Sequence, residues 1–192
     1  LILIGDIDQN IAHSFLSSFA DDTRVGHAVD SHADSINLQN DLEEIYLWTD
    51  DNNMQLNGGK FEHLHYSCDR ANPVLRTYTS NSGETIETKN AVKDLGVTIS
   101  NDCSFDTHIQ KMIDSANKQA SWILRTFACR EPLPMLTLWK SLVQCKLDYC
   151  SQLWNPTKKG DIQKIEMVQR SFLRKIKGTQ NLTYWEQTGT AS

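Results

Sequence analysis

Two adjacent carboxylates, Asp21 and Asp22, are the residues of this chain whose type and spacing most directly suggest chemistry. They stand between two short apolar-rich runs, a pattern that predicts a β-hairpin with the acids at its tip. The pair repels itself and lacks the glycine that two-residue turns usually contain. A divalent cation would relieve the repulsion, because magnesium prefers hard oxygen ligands and supports two-metal phosphoryl transfer.

A second pair of aspartates provides an internal comparison. Asp50 and Asp51 precede Asn52 and Asn53 at the predicted end of a helix. Solvated turn residues explain that composition without a ligand. An acidic loop in water is therefore the plain alternative for Asp21-Asp22 as well, and adjacent acids alone do not decide between the two interpretations.

Other metal-binding patterns are weak. His63 and His65 alternate along a predicted strand, but no second ligand pair follows them. The five cysteines show no Cys-x-x-Cys spacing, which argues against both a disulfide framework and a zinc knuckle. We expect a reduced intracellular protein, nuclear or cytoplasmic, that is neither secreted nor embedded in a membrane.

The charge is divided unevenly along the chain. Residues 1–110 have a net charge of −12, whereas residues 111–192 have +7. This asymmetry predicts a basic binding module joined to an acidic one, although charges that simply decorate solvated helices are the alternative. Five cations, two in a turn and three at helical spacing after it, form a predicted phosphate-binding ridge. They are Lys158, Lys159, Arg170, Arg174 and Lys177.

The elements that must position these residues follow from periodicity. The first part is predicted to contain a helix over residues 35–49 with Asp34 or Ser35 as N-cap, strands over 54–57 and 61–67, and a hairpin over 74–99 with its return through Leu95-Gly96-Val97.

Three helices should follow. They span about 105–128, then 136 to the stop at Asn155-Pro156, and from Asp161, the expected cap, to Gly178. We expect Trp122, Trp139 and Trp154 to pack in the core or between helices rather than to stack on bases. The predicted fold class is α+β, with a three-helix bundle behind an acidic α+β part.

Phe19-Ala20-Asp21-Asp22-Thr23 resembles the Phe/Tyr-x-Asp-Asp box of reverse transcriptases, and the surrounding sequence resembles non-LTR retrotransposons of the LINE type, including jockey-like elements. Gly5-Asp6 stands where that family usually has Asn-Asp. Other segments match in order and spacing over residues 1–178. They are Leu38-Gln39-Asn40-Asp41-Leu42, Trp48, Met54-Gln55-Leu56-Asn57, Lys60, Asp94-Leu95-Gly96-Val97, Phe105-x-x-His108-Ile109, Leu147-Asp148-Tyr149-Cys150-Ser151, Leu153-Trp154-Asn155-Pro156 and Ile165-Glu166-x-Val168-Gln169-Arg170.

The resemblance implies a domain arrangement: the C-terminal part of a polymerase palm over 1–68, a β-hairpin connection over 69–102, a helical thumb-like domain over 103–178 and a flexible tail over 179–192. It implies that Asp21 and Asp22 bind Mg²⁺ or Mn²⁺ in nucleotidyl transfer. Lys60 would correspond to a lysine thought to protonate the leaving pyrophosphate, and a surface cation is the competing interpretation. The implied partners are an RNA template, a DNA primer and deoxynucleotides.

The same resemblance places a further catalytic aspartate and the nucleotide-holding fingers in an N-terminal polymerase half that these residues do not contain. We therefore expect no polymerase activity from them alone, because metal neutralisation and nucleotide alignment would be incomplete. Two alternatives stay open. One is a non-catalytic transposon remnant that binds nucleic acid through its basic helices, and the other is an acidic α+β interaction protein.

Overall fold

The computed structural model describes residues 6–20, 22–66 and 77–178. The chain forms two compact units, residues 1–90 and residues 91–192, called here the first and second units. The division falls inside the predicted connection over 69–102. The predicted α+β class is confirmed, with helices and small two-stranded sheets. Within the described ranges no helix is long and apolar enough to cross a membrane.

The first unit contains a hairpin, a long helix and a second small sheet. Strands β1 and β2 pair antiparallel, and β3 and β4 pair in parallel. A single turn of 3₁₀ helix at Gly58–Lys60 precedes β3. The elements are β1 (Phe15–Phe19), β2 (Asp22–Gly26), α1 (His32–Asp51), β3 (Glu62–Leu64) and β4 (Glu87–Lys89).

Helix α1 begins earlier than its hydrophobic pattern predicts. Ser31 is the N-cap, and its hydroxyl accepts the backbone N–H of Asp34 at 3.3 Å, while the Asp34 carboxylate accepts the N–H of Ser31 at 2.7 Å. This reciprocal capping box satisfies two N–H groups that the helix leaves unpaired. The prediction of Asp34 or Ser35 as N-cap was therefore wrong, because Asp34 occupies the third helical position.

Two further predictions in the first unit need correction. Residues 54–57 form no strand, because the chain turns back on the helix there and Met54 donates its N–H to the carbonyl of Thr49 at 2.8 Å. The strand predicted over 61–67 is shorter in the structure, Glu62–Leu64, and its last predicted residue lies outside the described ranges. The core of this unit is small and consists of Leu38, Tyr78 and Ile86, with Val25, Val29, Leu42 and Phe61 packed around it.

The second unit begins with a hairpin and continues as helices around one core. The elements are β5 (Ala91–Asp94), β6 (Val97–Ser100), α2 (Asp106–Thr126), α3 (Pro132–Trp139), a π-helical segment (Lys140–Gln144), α4 (Cys145–Asp148), α5 (Ser151–Trp154) and α6 (Lys159–Leu173). The core is apolar and draws on all the longer helices, with Ala116, Ile123, Val143, Phe172 and Ile176 among its most buried members.

Three predicted features of this unit differ from the structure. Leu95 and Gly96 form the turn between β5 and β6, not part of the return strand. The second predicted helix is interrupted at Tyr149–Cys150, where Cys150 has a left-handed backbone with φ of 51°. Helix α6 ends at Leu173, before Gly178, because the chain leaves the helix to bury Ile176 completely.

The start of α6 also differs. The helix begins at Lys159, so Asp161 lies inside the first turn and does not cap it. Its carboxylate is buried and pairs with Lys164 at 2.9 Å. An acid in the first turn still stabilises the helix through the helix dipole.

Candidate functional site

The hairpin of β1 and β2 contains Asp22, the described member of the predicted acidic pair. Its register pairs Phe19 with Asp22 and Leu16 with Val25, so the connection contains only residues 20 and 21. Asp22 is therefore the first residue of β2, and its side chain is exposed. The predicted hairpin is confirmed, whereas Asp21 lies outside the described residues.

The residue that follows β1 adopts a conformation that its side chain disfavours. Ala20 has a positive φ of 56°, a conformation that is unfavourable for a residue with a Cβ atom. Asn or Gly would be the usual choice at such a position. Local turn stability thus does not explain this sequence, and unfavourable turn residues of this kind concentrate at functional sites.

The two faces of the hairpin differ in chemistry. Strand alternation places Leu16 and Val25 on one face, and Val25 packs against the core of the first unit. Asp22 shares the opposite face with Phe15 and Phe19, whose side chains are 67% and 65% exposed. The acid therefore lies on an open face next to uncovered aromatic rings.

A buried carboxylate anchors the chain that leads into this hairpin. Asp41 of α1 is 2% exposed, and it accepts the backbone N–H groups of Ala12, His13 and Ser14 at 3.2, 3.1 and 2.7 Å. Burial alone raises the pKa of Asp41, but these hydrogen bonds outweigh it and hold the pKa below its ordinary value. Sequence reasoning gave this residue no role; a carboxylate on the inward stripe of an amphipathic helix was the available signal.

Lys60, the third predicted catalytic residue, lies in the same unit as the hairpin. It ends the 3₁₀ turn before β3, and its side chain is exposed. Its backbone N–H donates to the carbonyl of Asn57 at 2.9 Å. Lys60 and Asp22 do not form an ion pair, so the structure does not bring these two side chains together.

The donor chemistry at Asp22 fits a hard divalent cation, since an exposed carboxylate with no other described partner is a ligand that Mg²⁺ accepts. Among the described residues, which exclude Asp21, no group of three or more His, Cys, Asp or Glu side chains is arranged to hold a metal. Asp22 therefore needs Asp21, or ligands from substrate phosphates, to complete a site.

His63 and His65, the weaker metal candidate, stack with ring centroids 6.3 Å apart. His63 also places Nδ1 3.0 Å from the hydroxyl of Thr88, and its ring packs edge-on against Tyr78. Burial, and then the neighbouring His65, lower the pKa of His63. These contacts account for His63 as a packed strand residue.

The five predicted phosphate-binding cations fall into two groups, those that form an ion pair and those that do not. Three of them form ion pairs: Lys158 with Asp106 at 2.6 Å, Arg170 with Glu166 at 2.7 Å and Lys177 with Glu131 at 2.9 Å. Lys159 and Arg174 form no ion pair with any described residue.

The predicted ridge is also not continuous. Because α6 ends at Leu173, Lys177 does not follow Arg170 and Arg174 on a helical face. Its backbone N–H donates instead to the carbonyl of Arg130 at 2.8 Å. Its side chain lines a surface depression of about 380 Å³ with Cys129, Arg130 and Lys175.

No protein-family model, curated protein or solved structure matches this chain.

Four of the sequence motifs quoted above meet in the second unit. Tyr149 donates its hydroxyl to the carbonyl of Leu95 at 2.7 Å, and the indole N–H of Trp154 donates to the carbonyl of Tyr149 at 2.7 Å. The Trp154 ring packs 5.6 Å from His108, whose Nδ1 accepts the N–H of Thr98 at 3.2 Å. These contacts fix the β5–β6 turn to the helices, and nothing in the spacing of the motifs predicted that they touch.

Proposed function

We propose that this chain is part of an RNA-directed DNA polymerase of the LINE type, in which Asp21 and Asp22 bind Mg²⁺ or Mn²⁺ and the second unit contacts primer and template. One observation supports the proposal. The register pairs Phe19 with Asp22, so that Asp22 is the first residue of β2 on an exposed strand face, directly after Ala20 with its unfavourable positive φ and the neighbouring acid Asp21 in sequence. The reaction, nucleotidyl transfer, is inferred from the resemblance of the flanking segments to LINE-type reverse transcriptases.

The chain's own residues would act as follows. The carboxylates of Asp21 and Asp22 bind the cations and orient the phosphates of an incoming deoxynucleotide. Lys60 holds a proton for the leaving pyrophosphate. When bound, the metal ions stabilise negative charge on the attacking and leaving oxygens.

The rest of the first unit supports this role by positioning. Asp41 ties the segment before β1 to α1 through three backbone hydrogen bonds, and Val25 fixes the other strand to the core. A metal-binding carboxylate must be held within a fraction of an ångström of its working position. The contacts of Asp41 and Val25 hold the hairpin in position, and the exposure of Asp22 leaves its carboxylate accessible to substrate.

In the second unit, Lys159 and Arg174 are the predicted cations best able to bind phosphate, since neither pairs with a carboxylate in the described part of the chain. Their contacts would be independent of sequence and weakened by salt. Lys158, Arg170 and Lys177 would first have to exchange an acidic partner for a phosphate.

Metal binding can be tested without any polymerase activity. Mn²⁺ broadens the amide NMR signals of residues near its site, so we expect selective broadening around residues 19–23. The double variant D21N/D22N should lose it. The matched variant D50N/D51N removes the same charges from the other Asp-Asp pair and should retain it. Equal broadening in both variants would refute the metal site.

The reaction itself requires a primer-extension assay on an RNA template with Mg²⁺ and deoxynucleotides. We expect extension only when a polypeptide carrying the further catalytic aspartate and the fingers is also present. Asp21→Asn should then abolish extension, and Asp51→Asn should leave it unchanged.

A second candidate, nucleic-acid binding without catalysis, is favoured by the excess of cations after residue 110. Salt-dependent duplex binding by the chain, with no extension under any of the conditions above, would support this candidate and exclude the first.

A further inference from the structure

Helix α2 presents an outward stripe that combines cations with an exposed indole. Its residues are spaced alternately by four and three, which keeps them on one face of a helix. They are Lys111, Ser115, Lys118, Trp122 and Arg125, called here the α2 stripe. The opposite face is buried in the core through Ile109, Ala116 and Ile123.

The cations of the α2 stripe have no acidic partner among the residues that the structure describes. Lys111, Lys118 and Arg125 are exposed, and none of them forms a salt bridge with another described residue. The nearby acid Asp114 instead accepts a hydrogen bond from Gln110 at 3.0 Å. The α2 stripe thus differs from the five cations predicted as a ridge around α6, three of which are paired.

A further cation adjoins the α2 stripe from another helix. Lys146 of α4 is exposed and places its ammonium 3.3 Å from the hydroxyl of Ser115. A hydroxyl does not neutralise the ammonium charge. The positive surface therefore extends from α2 onto α4.

The indole in this surface is uncovered but held in place. Trp122 is 44% exposed, and Phe127 packs against it edge-on with ring centroids 6.2 Å apart. The prediction that Trp122 packs in the core or between helices was wrong, whereas Trp139 and Trp154 are buried as expected. A fixed, exposed aromatic ring among cations is the arrangement that single-strand binding proteins use to stack bases.

We propose that the α2 stripe binds a single-stranded nucleic acid, with Lys111, Lys118 and Arg125 contacting phosphates and one base stacking on Trp122. From Lys111 to Arg125 the helix rises by fourteen residue steps, which correspond to about 21 Å. Stacking on an indole requires an unpaired base, which favours a single strand over a duplex.

This inference rests on the nucleic-acid-binding part of the proposed function. It specifies that the nucleic acid is single-stranded and that it binds the α2 stripe. An acidic protein would satisfy the cations but would not need the ring of Trp122. The contribution of the ring therefore separates the two kinds of partner, and the experiment measures it.

Binding of the whole chain to a short fluorescent oligothymidylate or oligouridylate can be followed by anisotropy. Trp122→Ala should weaken binding roughly tenfold by loss of stacking, and Trp122→Phe should restore most of it. The double variant K118Q/R125Q should lower the slope of log K against log salt by about 1.4, since each phosphate contact on a single strand contributes about 0.7.

Two matched controls remove similar groups elsewhere in the second unit. Lys93→Gln removes an exposed cation of β5, and Leu133→Ala removes an apolar side chain that is 80% exposed. Both should bind as the unaltered chain does. Because all of these side chains are exposed, the circular dichroism of every variant should be unchanged.

The outcomes are distinguishable from a failure of the metal site. Loss of binding in Trp122→Ala with rescue by Trp122→Phe supports the α2 stripe whether or not Mn²⁺ binds the hairpin. Unchanged binding in Trp122→Ala overturns the proposal. So does an equal loss of oligonucleotide and polyglutamate binding in K118Q/R125Q, which would indicate a general polyanion surface.

Discussion

The carboxylate of Asp41 accepts the backbone N–H of Ser14 at 2.7 Å, and two neighbouring N–H groups complete the contact. One side chain of α1 thereby satisfies three consecutive donors of the segment that enters β1. The two rings of β1, Phe15 and Phe19, are largely exposed, and another described hydrogen bond to this segment joins His27 Nδ1 and the carbonyl of His13 at 2.8 Å. The position of the candidate site depends on this single acid more than on apolar packing.

Replacing Asp41 tests that dependence. Asp41→Ala leaves three partly buried N–H groups without their acceptor and should destabilise the first unit by about 3 kcal/mol. Asp41→Asn retains one acceptor oxygen and should cost about half as much. Chemical denaturation gives the free energies, and amide exchange should accelerate first at residues 12–14. Uniform acceleration across α1 would mean that Asp41 does not act locally.

The Asp41 contact should also depend on pH. Since its pKa is lowered in the folded chain, the stabilisation is complete above the ordinary value of about 3.9 and is lost as pH falls below it. Denaturation of the unaltered chain should therefore become easier through this acid range. Asp41→Asn should remove that part of the pH dependence, and an unchanged profile would contradict the assignment.

Gly96 in the β5–β6 turn and Gly178 after α6 have similar backbone conformations and can be compared. Gly96 and Gly178 have φ of 89° and 79°, but a Cβ atom at Gly96 would lie 3.1 Å from the Tyr149 ring, whereas one at Gly178 would meet nothing. Alanine at either position costs about 1 kcal/mol for the left-handed backbone. We expect Gly96→Ala to lower the thermal denaturation temperature more than Gly178→Ala does. Equal decreases would show that the Tyr149 ring moves aside at no energetic cost.

His108 should make the second unit sensitive to mild acid. Its Nδ1 accepts the N–H of Thr98, so the ring is neutral, and burial, with a smaller effect of Lys111, lowers its pKa. The unfolded chain takes up this proton near pH 6.5 and the folded chain only at lower pH, so stability falls as pH drops below about 6.5. Thermal denaturation should show the fall, and His108→Asn, which keeps an acceptor for Thr98, should flatten it.

Helical periodicity predicted much of the second unit because its helices bury one continuous stripe. The predicted helix over 105–128 is α2, Asp106–Thr126. The break at Tyr149–Cys150 was not predictable from periodicity, because Tyr149 leaves its helix to bond the Leu95 carbonyl far away in sequence. Such long-range bonds override local pattern.

The candidate site shows the same limit. The hairpin followed from its apolar runs and short turn, but the role of Asp41 required knowing that residues 12–14 pass beside α1. The α2 stripe was missed because Trp122 was predicted to pack as Trp139 does. Its helical spacing from Lys111, Lys118 and Arg125, off the apolar stripe, was the available signal, and its exposure in the structure confirms the difference.

Freeing a paired cation should strengthen nucleic-acid binding by the second unit. Lys177 is held 2.9 Å from Glu131, whose side chain makes no helix-capping bond. Glu131→Gln removes the competing carboxylate, so the ammonium becomes available to phosphate. On duplex DNA we expect tighter binding and a salt slope steeper by about 0.9, the value of one added phosphate contact. The double variant E131Q/K177Q should return both quantities to the starting values or below. If Glu131→Gln tightens binding without steepening the slope, Lys177 is not the cation that gains a phosphate.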